Sequence, residues 1–236
     1  MTGGVSRRVG SLSERLARLD RRRTPAAQRY AAAGRPGTRA GWREAEWLAV
    51  DLELTGLDPS VDHIIAVGAV PVSGGRVQLG SATYSLVATP RRSSTAAVLT
   101  HRLLSDDLAG APSLGEVLES LLTQLTGRVP IFHHAVVESA FLAPRLGARG
   151  LRMPTAADTE VLGRQWLRLR DGSAPASVSL DGLARQLGHQ AEPAHHALAD
   201  SVSTAQAFVA LASLLDRTRP QTVGTLLSAS NQNSWR

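Results

Sequence analysis

The sequence predicts an α/β domain built on a mixed sheet, and three observations carry that prediction. Apolar, β-branched runs at 47–54 ("WLAVDLEL"), 63–72 ("HIIAVGAVPV") and 76–87 ("RVQLGSATYSLV") follow one another over short connections. The last two are joined by Ser73-Gly74-Gly75, a hairpin signal, so the three strands form an antiparallel meander. After residue 112 the apolar period becomes helical, interrupted by one short apolar run, "RVPIFHH" at 128–134, which is the α/β pattern.

Taken in order, residues 11–23 ("SLSERLARLDRRR") place Leu12, Leu16 and Leu19 at helical spacing among arginines, predicting a short amphipathic helix. Residues 24–41 carry Pro and Gly and read as a linker. After the strands come helices at 113–125, 136–150, 158–168 and 179–187, and a last one from about His195 to Leu215. The division expected is a basic arm at 1–41, an α/β domain at 42–216 and a polar tail at 217–236.

Composition narrows the chemistry. Among 236 residues there is no cysteine, which excludes disulfides, thiolate nucleophiles and thiolate zinc sites. All 26 basic residues are arginine, and their placement is uneven: residues 1–40 carry a net charge of +8, the remainder −2. The arm is therefore a phosphate-binding candidate through a sequence-independent electrostatic term, with a solvated tail or a docking helix as the alternatives. The sequence contains no apolar run near the ~18–20 residues of a membrane helix and no signal peptide, so the expectation is a cytoplasmic protein without a membrane partner.

Asp51 and Glu53 stand out within the first strand. Residues two apart on a strand face the same way, and two neighbouring anions removed from water need a counter-charge, which a divalent cation supplies most simply. Solvated acids at a strand end are the alternative. Glu138 falls in the first turn of the helix after "HHAVV", where backbone N–H groups already favour negative charge. Asp200 lies within the last helix beside Ala197, Leu198 and Ala199, an awkward place for an unpaired charge. His195 and His196 precede it by five and four residues, so an imidazole and a carboxylate can share one helical face as general base and ligand.

These motifs resemble the DnaQ-like, or DEDDh, 3′→5′ exonucleases, the family that includes the proofreading subunit of the bacterial replicative polymerase. The family's Asp-x-Glu-x-Thr-Gly-Leu-Asp is matched by "DLELTGLD" at 51–58, its His-Asn-Ala-x-x-Asp-x-x-Phe-Leu by "HHAVVESAFL" at 133–142, and its His-x-Ala-x-x-Asp-Ala by "HHALADS" at 195–201. The order is the family's, across roughly residues 44–215. Three positions depart from the pattern: Glu138 for Asp, His134 for Asn, and Leu54 for Thr.

The resemblance implies a ribonuclease H-like fold with a mixed five-stranded sheet flanked by helices. It implies that Asp51, Glu53, Glu138 and Asp200 bind two divalent cations, Mg²⁺ or Mn²⁺, since oxygen donors suit hard ions. His195, five residues before the aspartate as in the family, becomes the base that deprotonates water, and Leu54, Thr55 and Leu57 the contacts to the terminal nucleotide. His101 takes a structural or loop role. The implied substrates are nucleic-acid 3′ ends, single-stranded DNA first and RNA second, and the implied partner is a polymerase or another replication or repair factor. The competing reading is a nucleic-acid-binding or scaffold module that keeps the fold without turnover.

Overall fold

Trp47–Leu54 (β1) is buried along nearly its whole length, which makes it a central strand. It pairs antiparallel with Ile64–Ser73 (β2), in a register that sets Asp51 opposite Gly68. On its other side it pairs parallel with Val129–Phe132 (β5), which pairs parallel with Ala157–Asp158 (β6). The expected third strand is broken in two, Arg76–Val77 (β3) and Thr83–Leu86 (β4), both paired with β2, with a 3₁₀ turn at Leu79–Ser81 between them. Gly80 in that turn offers no side chain to hold a ladder there. The mixed sheet thus runs β3-β2-β1-β5-β6, with β4 also on β2. The structure, a computed structural model, describes residues 23–189 and 195–231, so the leucine-striped helix expected near residue 12 lies outside it.

Alternation along β1 divides the core between the two faces. Leu48, Val50, Leu52 and Leu54 pack with Phe132, Phe141 and the apolar face of Leu114–Leu125 (α3), a helix opened by a Ser113–Glu116 capping box. Trp47 and Ala49 face the other way, onto Ala197–Asp216 (α7), where Trp47 lies 4.6 Å from Phe208 and donates its indole N–H to the Trp42 carbonyl at 2.8 Å. At 20 residues and with its apolar composition, α7 does meet the length and hydropathy of a membrane span, contrary to the sequence expectation. Its Phe208, Leu211, Ala212 and Leu215 are buried against this sheet, which is the environment that selects those residues.

Two segments are more structured than their composition suggests. Pro25–Ala32 (α1), expected as linker, is a helix: Thr24 caps it, Pro25 starts it, and Ala26 and Ala27 are buried with Leu122, Leu146 and Leu151. Val223–Asn231 (α8), expected in the polar tail, inserts Val223 and Leu226 into the core. Residues 38–41 run alongside 222–224: Gly41 bridges Thr222, and Val223 donates to the Ala40 carbonyl at 3.0 Å. The remaining helices are Thr95–His101 (α2), Ala135–Gly147 (α4), Thr159–Asp171 (α5) and Leu180–Gln186 (α6).

Candidate active site

Asp51 and Glu53 continue the Trp47–Ala49 face of β1 beyond the end of the apolar core, beneath the first turn of α7. That turn can lie against the sheet because Gly68, opposite Asp51, has no side chain: a Cβ there would fall onto the Ala197 carbonyl and 2.7 Å from the Leu198 nitrogen. Asp200 is thereby brought over β1. Asp51, Glu53 and Asp200 each present one oxygen within 4.8 Å of the others. Glu138, buried in the first turn of α4, stands outside that group of three, yet its charge acts on Asp51.

Burial and mutual repulsion raise the proton affinity of these acids. Burial, then the charges of Glu138, Asp200 and Glu53, hold the Asp51 carboxyl well above the usual range. Glu53 is pushed up to about 7 by burial and by Asp200, and Glu138 to about 8, chiefly by burial. Asp200 is raised by burial, against hydrogen bonds and charge from His195 and His196. Glu53 Oε1 and Glu138 Oε2 are buried without a hydrogen-bond partner. Crowded, oxygen-only and under-bonded donors fit a hard divalent cation, and the Asp51–Glu53–Asp200 group can hold one.

The two candidate histidines separate clearly. His196 stands at the start of α7 without a side-chain capping bond, and its ring stacks on Tyr84 at 4.6 Å between centroids. His195 has a left-handed backbone (φ 66°), its N–H donates to Asp200 Oδ2 at 2.8 Å, and its side chain is exposed to a cavity of about 540 Å³ that Asp51 and Asp200 also line. A non-glycine residue at positive φ is held there by its surroundings. His101 is buried at the end of α2, its Nδ1 accepting from the Leu103 N–H at 3.0 Å; burial and then the His195 charge lower its proton affinity. It is therefore placed as a structural residue that closes the turn after α2.

Of the three positions expected to touch substrate, Leu54 is packed in the core and Thr55 is buried, whereas Leu57 is 79% exposed. Thr55 holds the loop that carries Leu57: its hydroxyl donates to Asp62 Oδ1 at 2.9 Å and accepts from the His63 N–H at 3.0 Å. Asp62 also accepts from the Asp58 N–H and from Arg91 Nε, each at 3.0 Å. Asp62→Ala is expected to destabilise the protein by about 1–3 kcal/mol, the range for orphaning buried donors. Urea unfolding measures it, and a change below about 0.5 kcal/mol would show the loop to be held otherwise.

Sequence reasoning passed over a second polar cluster on the same cavity. Asp158 caps two helices at once, accepting from His134 N (3.2 Å) and Ala135 N (2.9 Å) of α4 and from Glu160 N (2.9 Å) of α5. Buried Glu160 accepts from His134 Nδ1 at 2.8 Å, and His133 bridges the Thr159 hydroxyl (2.9 Å) and the Val178 carbonyl (3.1 Å). The available signal was "DTE" at 158–160, which repeats the acid spacing of 51–53. A larger hollow of about 830 Å³ between α5 and α8 is lined, among the described residues, by neither histidine nor carboxylate.

Residues 48–208 match the family model described as Exonuclease. The chain belongs to the exonuclease family. Among curated relatives, a PolC-type DNA polymerase III of Thermotoga maritima is 32% identical over 178 residues, 74% of this chain but 12% of that protein. A DNA polymerase III subunit epsilon-like protein of Rhodobacter capsulatus is 30% identical over 77% of this chain and 26% of its own length. The chain thus spans only a small part of these relatives. Among solved structures, exonuclease X in complex with 5′-overhanging duplex DNA shares the fold at a TM-score of 0.59 and 21% identity, covering 78% of this chain and 99% of that one. The nuclease domain of 3′hExo, a DEDDh family member bound to rAMP, does so at 0.59 and 17%, covering 78% and 98%. The expected ribonuclease H-like exonuclease fold is therefore the one observed.

Proposed function

We propose that this chain is a metal-dependent 3′→5′ exonuclease that hydrolyses single-stranded DNA from its 3′ end, with RNA as a second substrate, and releases nucleoside 5′-monophosphates. The observation that carries the reading is the meeting of Asp51 and Asp200 with the His195 side chain on one cavity, with Glu53 in the same group of acids. Asp51, Glu53, Glu138 and Asp200 would hold two divalent cations, Mg²⁺ or Mn²⁺. When bound, such ions supply charge stabilisation at the phosphoryl group and its flanking oxygens. His195 takes the proton of the attacking water, and the Asp200 carboxylate, bonded to the His195 N–H, fixes the backbone that carries the imidazole. Of the substrate positions, Leu57 offers an apolar side chain to a terminal base or sugar, while Leu54 and Thr55 act through the backbone they shape.

The cellular reading, a cytoplasmic protein working beside a polymerase or another replication or repair factor, follows the DNA polymerase III names of its relatives. The catalytic unit is proposed to start before residue 42 and to continue past 216, since α1 and α8 both contribute to the core. The test is release of mononucleotides from a 3′-labelled single strand, run with mismatched duplex and RNA carrying the same label. Release is expected with Mg²⁺ or Mn²⁺ and none in EDTA. Strand binding without turnover at every metal concentration would favour the non-catalytic module.

A further inference from the structure

His134 stands where the resembling family carries Asn, and the structure gives it unusual support. It occupies a left-handed conformation (φ 68°), a cost that a non-glycine residue meets only when neighbours hold it. Its Nδ1 is fixed by Glu160 Oε2 at 2.8 Å, although the imidazole itself is 54% exposed on the catalytic cavity. Glu160 is buried, and it also takes hydrogen bonds from the Ser177 hydroxyl and the Val178 backbone. One carboxylate thereby sets both His134 and the 177–178 loop along a single wall. Asp181, another acid lining this cavity, is already paired with Arg185.

That wall belongs to the same cavity as Asp51 and Asp200. The cavity adjoins a second hollow of about 400 Å³, and Ser177, Val178 and Ser179 line both. The space on the two sides of that shared segment is where more of a strand than its terminal nucleotide would lie. With Nδ1 committed to the Glu160 carboxylate, the other ring nitrogen, Nε2, is the one left for a ligand, and it donates when the ring carries both protons.

We propose that His134, oriented by Glu160, is a substrate-positioning residue that donates to the phosphate next along the strand from the one being cleaved. The inference rests on the exonuclease reading for the same cavity, so its test carries a readout that needs no turnover. An oligothymidylate of about eight nucleotides, fluorescently labelled, is titrated in Ca²⁺ to hold back hydrolysis. His134→Asn and His134→Ala are expected to weaken its binding about tenfold, the effect of one lost charge-assisted hydrogen bond, and His134→Gln to recover part of the loss. In Mg²⁺ the same variants should raise KM for the oligonucleotide with kcat held. They should leave hydrolysis of p-nitrophenyl thymidine 5′-phosphate, which has a single phosphodiester, unchanged.

Unchanged oligonucleotide binding in His134→Ala overturns the proposal, as does an equal loss on both substrates, which would place His134 at the scissile phosphate or in the fold alone. A wild-type protein that hydrolyses neither substrate removes the exonuclease reading while the binding arm still decides the role of His134. Absence of wild-type binding overturns it as well.

Discussion

Asp51→Asn lowers mononucleotide release by about a thousandfold or more and, in the same preparation, raises the melting temperature of metal-free protein at pH 8 by several degrees. Both effects come from one feature. Asp51 sits at the centre of the acid cluster, with the charges of Glu138, Asp200 and Glu53 all bearing on it. A neutral amide removes a proposed ligand and relieves repulsion together, the combination expected of a group placed for function at the expense of stability.

The pH dependence has a definite sign. Glu53 and Glu138 move from an ordinary 4.5 to about 7 and about 8 in the folded protein. Between those limits the folded state binds more protons than the unfolded one, so stability is fully present below about pH 4.5 and is lost as pH rises through 7 to 8. On the proposed function Mg²⁺ binds the native carboxylates only, and is expected to restore stability at pH 8 while doing little at pH 5, where they hold protons. Thermal unfolding at both pH values, with and without Mg²⁺, checks this. A melting temperature indifferent to pH and metal would remove the acid cluster as a cation site.

Gly68→Ala is expected to cost at least about 3 kcal/mol, at the upper end of overpacking, and to abolish activity in whatever fraction still folds. The added methyl meets backbone, the Ala197 carbonyl and the Leu198 nitrogen, so no rotamer change relieves it. The only escape lifts the first turn of α7 from β2, carrying Asp200 and His195 away from Asp51. Urea unfolding and a metal-binding titration of the variant follow the two effects. A variant with native stability and native metal affinity would show that α7 can reseat without loss.

The predictions separate what the sequence discloses from what it hides. Asp51 and Glu53 were legible because a strand has a period of two and carboxylates do not belong in an apolar run without a counter-charge. Asp200 and His195 were legible for the parallel reason on a helix. Glu138 was legible as a charge at a helix start, but its place outside the three-acid group depends on how α4 meets the sheet. The His134–Glu160 pair was not legible, because it joins a helix cap to a residue 26 positions away whose burial only β6 and α5 determine. The extra helices failed for a local reason: Pro25 and the polar stretch around Val223 look like breakers, and only a Thr cap before one and two buried aliphatic side chains in the other reverse that reading.

The pairing of residues 38–41 with 222–224 clasps the segment after α1 to the start of α8. Both helices add side chains to the core, so the clasp ties two segments far apart in sequence into one folded unit. A transplant of this unit onto another polypeptide is expected to need both helices, because cutting at 42 and 216 would leave that core open.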